Sequence, residues 1–386
     1  MWGKRIEVLL AQPGGKTMAS EGPLVEEVRT KVFEVPTDQP EADGTLQWRF
    51  TTVVVAEVRA GGEIGTGWTY SGPGAQAVID EKLAAEVAGK PVLDLPALWQ
   101  AMARSCRNLG RPGLVSCAIS AVDTALWDLK ARLVGLPLSL LFGRCRREVP
   151  LYGSGGFTSY DDATTVAQLE QWVTEWGMDK VKLKVGESWG TRPGRDLERV
   201  ALARKVIGDG AELFVDANGG YGRKQALRMG KRFTEEHGVS WFEEPVSSDD
   251  LAGLREVKEQ CEADVAAGEY GYDPSYFAKM IDAGAVDCIQ VDVTRCCGYT
   301  GFVQVAALAA AHNLDVSAHC APNLHSHVAA SLGNLRHVEY FHDHHRVENL
   351  LFEGTLSPDG GVLRPRCDSL GHGMALRPGS DEYRRG

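Results

Sequence analysis

Val181-Lys182-Leu183-Lys184-Val185-Gly186 reads as a short strand with both lysines on one face, because residues i and i+2 of a strand point the same way. Two ammonium groups held that close lower each other's pKa, which suits one of them to act as a general base near neutral pH. A solvated edge strand guarded by lysines would show the same hexapeptide, so its surroundings decide. On both sides the chain alternates strand and helix. Strands are expected at Val149–Gly153, Asp179–Gly186, Glu212–Asp216, Val239–Glu244, Val265–Glu269, Val286–Asp292, Asp315–His319 and His337–Phe341, with helical segments between them. β segments joined by helical crossovers make a parallel sheet. At about 200 residues a closed (β/α)8-type barrel fits better than an open sheet, and no glycine-rich dinucleotide fingerprint follows the first strand.

Ahead of the barrel the pattern changes. Residues 1–22 hold the breaker clusters Gln12-Pro13-Gly14-Gly15-Lys16-Thr17 and Ala19-Ser20-Glu21-Gly22, and read as a tail dispensable for catalysis, with Met18 an alternative start. Strands follow at Val25–Val35, Phe50–Val58 and Ile64–Tyr70, the last two joined by the turn Ala60-Gly61-Gly62. Pro36–Trp48 is rich in Asp, Glu, Pro and Gly and is expected to be a long flap loop. Helices are expected at Ala75–Ala88, Leu95–Ser105 and Val115–Val134, the last with Ile119, Val122, Ala125, Leu126, Leu129 and Leu133 along one stripe and Gly135 as its stop. The expected division is a tail (1–22), an α+β domain (23–147), the barrel (148–360) and a closing segment (361–386) that packs back on the first domain.

Composition narrows the partners. Of 386 residues 24% are charged, with a net charge of −11. That balance argues against nucleic acid and against an anionic membrane. Any bound anion then needs a local positive site, such as a metal or buried lysines. The nine cysteines form no CxxC pair, which points to reduced thiols and a cytoplasmic location. No apolar run approaches the roughly 20 residues of a membrane span.

In such barrels the chemistry sits at the C-terminal ends of the strands. Those ends carry Lys182 and Lys184, Asp216 and Asn218, Glu243 and Glu244, Glu269, Asp292, His319 and Glu339. Taken singly, each has an ordinary explanation, as a helix cap, a solvated charge or a satisfied core histidine. Ionisable groups at seven consecutive strand ends have no such joint explanation. Three neighbouring carboxylates repel unless a cation sits between them, and an all-oxygen set of that kind suits Mg2+.

Lys182-x-Lys184, Asp216-x-Asn218, Glu243-Glu244-Pro245, Gly268-Glu269, Asp292 and His319, in that order, resemble the enolase superfamily, mandelate racemase subgroup. So does the helical run Ala118–Leu129 ahead of the barrel. The resemblance implies a modified TIM barrel, (β/α)7β, under an α+β capping domain. It implies Mg2+ on Asp216, Glu243 and Glu269, and Lys184 as the base on one face of the substrate carbon. Lys182 would contact the substrate carboxylate, and His319, oriented by Asp292, would be the acid/base on the other face. Glu339 would hydrogen-bond the carboxylate away from the metal, with Asn218 and Tyr70 as further substrate contacts. The expected reaction removes the proton α to a carboxylate through an enediolate, as in dehydration of a sugar acid. Racemisation, epimerisation and cycloisomerisation fit the same residues, and a carboxylate-binding barrel without turnover is the non-enzymatic alternative. A small-molecule carboxylate is the expected partner, and a homo-oligomer, from dimer to octamer, the expected assembly. Two features depart from the pattern. Cys297 stands where the family usually has the first of two glycines, which puts the backbone there in question. The cluster His342-Asp343-His344-His345 is expected in a loop after the last strand, at the surface or a subunit contact, rather than at a metal.

Overall fold

The computed structural model describes residues 22–385, so the expected tail, Gly22 apart, lies outside the described residues. Three antiparallel strands open the chain: β1 (Glu27–Ala42), β2 (Gln47–Ala60) and β3 (Glu63–Tyr70). The valine run on β2 is buried on both sides of the sheet. Val53 and Val55 join the barrel core, while Val54, Ala56 and Val58 pack into a second core with the helices. Alternation that buries both faces is what an unbroken apolar run on a strand implies. The helix Leu114–Leu133 lies against β3 at Gly65 and Gly67, where an added Cβ would come within 2.1 Å of the Ala125 carbonyl and 2.2 Å of Thr124 Oγ1.

The barrel strands are β4 (Val149–Gly155), β5 (Lys180–Lys184), β6 (Glu212–Asp216), β7 (Val239–Glu243), β8 (Asp264–Ala267), β9 (Cys288–Val291), β10 (Asp315–Ala318) and β11 (Leu335–Phe341). They pair in parallel in chain order, and β11 pairs with β4 to close the ring. The fold is thus the expected modified TIM barrel with an α+β domain ahead of it. Tyr152, Phe214, Trp241, Ala266 and Cys288 plug its lower interior. Register then sets the chemistry, because Lys184 lies opposite Asp216 on the next strand and Asp216 opposite Glu243 on the one after. Three charged side chains therefore leave consecutive strands at one level, above an apolar floor.

Two local expectations differ from what is seen, and the backbone in question at Cys297 is resolved. Pro36–Trp48 is not a long loop. β1 continues to Ala42, and only residues 43–46 separate it from β2. Its Pro and Asp residues are absorbed by a bulge, since pairing jumps from Pro36–Phe50 to Glu41–Trp48. The histidine cluster begins a helix, His342–Leu351, instead of a loop. His344 is buried, with its ring stacked on Tyr70 at a 3.4 Å centroid distance. Cys297 keeps a glycine-like left-handed backbone (φ 68°), held by the bond from Trp99 Nε1 to its carbonyl at 2.9 Å. The closing segment runs beside the first domain: the His372 N–H donates to Asp128 Oδ1 at 2.8 Å and the Arg385 N–H to the Val32 carbonyl at 2.8 Å. Among the described residues no helix is long and apolar enough to cross a membrane.

Candidate active site

Asp216, Glu243 and Glu269, at the ends of β6 and β7 and just past β8, bring carboxylate oxygens within 4.8 Å of one another. All three side chains are buried. Burial and the neighbouring Asp216 push Glu243 up to about 8, although Lys182 works the other way. Glu244, on a left-handed backbone (φ 37°) and buried beside the row, is pushed well above the usual carboxylate range by burial and then by Glu269, Asp216 and Glu243. Glu244 Oε1 is buried without a hydrogen-bond partner, and Glu269 Oε2 meets only the His319 ring, at 3.2 Å. Crowded, desolvated, all-oxygen donors with an unanswered lone pair fit a hard divalent cation.

The two lysines of β5 stand at one end of this row. Lys184 Nζ is 2.5 Å from Asp216 Oδ2. Lys182 Nζ pairs with Glu243, lies 2.8 Å from Glu339 Oε1 and 3.6 Å from Asp216 Oδ2. The expected lowering of Lys184 by Lys182 exists but does not prevail. Burial and Lys182 both depress Lys184, yet Asp216, Glu269 and Glu243 together outweigh them and raise it. For Lys182, burial is outweighed by Glu243 and Glu339. The sequence shows the repulsion of two lysines two residues apart, whereas the carboxylates that reverse it arrive from other strands.

His319, just past β10, stands at the other end. Its Nδ1 is 2.9 Å from Asp292 Oδ2, and Asp292 is itself fixed through Oδ1 by the N–H and hydroxyl of Thr294, both at 2.7 Å. The Nε2 therefore faces the row, 3.2 Å from Glu269 Oε2 and 3.7 Å from Glu339 Oε2. Burial disfavours the imidazolium, but Cys320, Glu269, Glu339 and the bond to Asp292 hold its pKa well above the usual value.

A cavity of about 250 Å³ opens over these groups, lined by Lys184, Asn218, Glu269 and His319. A larger cleft at Arg204 and Ser240, beside the opposite ends of the strands, has no such convergence of buried acids and bases. Three of the expected substrate contacts are absent from the cavity wall. Lys182 is buried beneath it, and Glu339 is engaged by Lys182, Ser154 and the Cys320 N–H. Tyr70 sits behind His344 with its hydroxyl 3.2 Å from Glu348 Oε1.

Comparison with known sequences agrees with this arrangement. The family description Enolase C-terminal domain-like matches residues 164–380, and Mandelate racemase / muconate lactonizing enzyme, N-terminal domain, matches residues 28–143. The chain belongs to the enolase superfamily. Within the superfamily it is 31% identical, over 92% of its length and 97% of the relative's, to the 3,6-anhydro-alpha-L-galactonate cycloisomerase of Streptomyces coelicolor. It is 31% identical to the L-talarate/galactarate dehydratase of Salmonella typhimurium over 84% of its length and 83% of that protein's. The structure of that dehydratase liganded with Mg and L-lyxarohydroxamate superposes with a TM-score of 0.88 at 28% identity, covering 97% and 96% of the two chains. A mandelate racemase/muconate lactonizing enzyme-like protein from Rubrobacter xylanophilus superposes at 0.91 with 46% identity, over 94% of this chain and all of the other.

Several cavity residues of this superfamily member escape a reading by strand ends. Arg295 reaches in from the turn after β9, with Nη1 3.4 Å from Glu269 Oε1 and Nε 3.6 Å from Asp292 Oδ2. Its spacing of three from Asp292 was the available signal. Cys320 places its sulfur 3.3 Å from His319 Nε2. Asp43, Leu46, Trp48, Phe50 and Thr51 come from the β1–β2 hairpin, and Asp343 and His344 from the helix after β11. Of these two segments the family resemblance points to the first, since it expects residues of Pro36–Trp48 to shape the pocket, while nothing in the sequence joins the helix after β11 to the barrel mouth.

Proposed function

We propose that this enolase-superfamily chain removes the proton α to the carboxylate of a sugar acid and eliminates water from it. The observation that carries the reading is the row of Asp216, Glu243 and Glu269 with Lys184 against its first member and His319 against its last. Asp216, Glu243 and Glu269 would hold Mg2+, which supplies positive charge beside the carboxylate as its second negative charge develops. Lys184, held as an ammonium by Asp216 while that carboxylate is unshared, would lose that hold once Asp216 ligates a cation, and as the free amine it takes the proton from the α carbon. The C–O bond to the β carbon breaks, and the departing hydroxide takes the proton that His319 presents on Nε2, leaving as water. Asp292 fixes the tautomer that makes this donation available. The enol left behind becomes a 2-keto acid. Asn218 and Arg295 stand where they can hold substrate oxygens, and Glu339 acts from below by fixing Lys182 and the Cys320 backbone.

A second reading, cycloisomerisation, is favoured by the Streptomyces coelicolor relative, whose match spans nearly both chains. The proton removal is the same, and the oxygen exchanged at the β carbon then stays within the product. A library of sugar acids and their lactones or anhydro forms, incubated with the protein and Mg2+, tests both. A 2-keto acid together with released water supports dehydration, and an isomer of unchanged mass supports the second reading. Turnover of no acid in the library would sink the proposal.

A further inference from the structure

We propose a second cation site, formed by Asp38, Glu41 and His342 and suited to a divalent transition ion such as Zn2+, that fastens the β1–β2 hairpin to the barrel. The donor atoms of the three residues lie within 4.8 Å of one another, and His342 Nε2 is 3.0 Å from Asp38 Oδ2. Ligands around a tetrahedral ion, each roughly 2.0–2.2 Å from it, stand about 3.3–3.6 Å apart, so the three donors would draw together slightly on binding. The bulge in β1 is what brings them together: it lifts Asp38 out of the ladder toward the first turn of the helix His342–Leu351.

Glu41 supplies an independent observation. Its side chain is fully buried, Oε2 accepts from Trp48 Nε1 at 2.8 Å, and Oε1 has no partner. A buried carboxylate oxygen left unanswered is costly. The local charge has the same sense. Asp38, Glu41 and Asp343 share this corner with Arg346, which pairs with Asp343 Oδ1 at 2.9 Å and donates to the Pro36 carbonyl at 2.6 Å. One guanidinium answers one of three carboxylates. An imidazole among the donors turns selection away from Mg2+, which prefers oxygen, toward borderline ions. Asp38 and His342 are 40% and 22% exposed at the side chain, so an ion can enter from solvent. Occupancy would reach the active site through two neighbours. Trp48, bonded to Glu41, and Thr51, bonded to Asp343, both line the cavity. Fixing Glu41 therefore fixes the hairpin wall of that cavity.

Co2+ is the probe. The full-length protein, stripped with EDTA and dialysed with excess Mg2+ to fill any all-oxygen site, is titrated with Co2+. Bound metal is counted by equilibrium dialysis and followed by visible d–d absorption. The expected result is one tightly held Co2+ per chain, retained in Glu243→Gln and lost in both Asp38→Asn and His342→Ala, each checked for a wild-type melting profile. Asp38→Asn replaces a partly exposed side chain with its isostere, so it reports even if His342→Ala folds poorly. No Co2+ held against Mg2+, or equal Co2+ in wild type and Asp38→Asn, would overturn the proposal. Retention in Glu243→Gln separates this site from the strand-end carboxylates, so either assignment can fail without the other.

Discussion

Replacing Gly44 with alanine tests whether the hairpin is a working wall of the site. Gly44 is the tip of the β1–β2 turn, and it lies against backbone. A Cβ there would sit 2.6 Å from the Val185 carbonyl oxygen, 2.9 Å from that of Gly186 and 3.0 Å from that of Ala217. Ordinary contact begins near 3.4 Å, so the tip must withdraw by about 0.8 Å, and backbone atoms cannot rotate aside. The bond from the Trp189 N–H to the Gly44 carbonyl, 2.8 Å long, then stretches beyond useful length. That loses about 1 kcal/mol, and overpacking adds about 1–3 kcal/mol. The hairpin can yield locally, so most of this strain appears as retreat of Asp43 and Leu46 from the cavity rather than as global unfolding. A misplacement near 1 Å costs up to about 100-fold in rate. Gly44→Ala should therefore lower kcat/KM by about 10- to 100-fold on the acid found by screening, with faster limited proteolysis of the hairpin and a melting temperature within a few degrees of wild type. Unchanged kcat/KM together with a loosened hairpin would refute the reasoning.

Glu243→Gln should abolish turnover, with no rescue by excess Mg2+, because it removes one of three converging carboxylates; restored activity at high Mg2+ would count against its role. Asp292→Asn keeps the shape beside His319 but removes the acceptor for Nδ1, and should cut kcat by several hundred-fold or more with little change in KM; a loss confined to KM would contradict the orienting role. Asp123, buried in the helix Leu114–Leu133 and bonded to Thr300, is pushed up to about 7, chiefly by burial. The folded state then holds a proton that the unfolded chain has released, so this group's stabilising contribution is present below about pH 4 and is lost as pH rises toward 7. Asp123→Asn should flatten that part of the stability profile in chemical denaturation across the same window, whereas an unaltered slope would mean that Asp123 is ionised in the folded protein.

The barrel was legible because its signal is repeated. Each strand of a parallel barrel is a short apolar run ending in a polar residue, and the order Lys184, Asp216, Glu243, Glu269, Asp292, His319 fixes where the top of the barrel lies. The hairpin was not legible, because Pro36, Asp38, Pro40 and Asp43 are the composition of a loop. A two-stranded ribbon tolerates them at a bulge and along an edge, and their true partners, Arg346, Ser159 and Thr158, lie more than a hundred residues away. His342–His345 misled for the same reason. The packing of His344 on Tyr70 exists only once the first domain is docked. Arg295 and Cys320 lie within three residues of Asp292 and His319, so proximity hinted at them, but their inward direction is set by the turns after β9 and β10. The lysine pair shows the converse, a local rule correctly applied and then outweighed by Asp216 and Glu243 from neighbouring strands.

The central claim is that Lys184 and His319 act on one substrate from the two ends of the carboxylate row. Deuterium incorporation at the α carbon, measured by NMR in D2O beside 2-keto acid formation, tests it most directly in wild type, Lys184→Ala and His319→Asn with Mg2+ and the acid identified by screening. The account predicts that Lys184→Ala loses both exchange and product, while His319→Asn retains exchange and loses product. Full dehydration by His319→Asn, or undiminished exchange in Lys184→Ala, would contradict it.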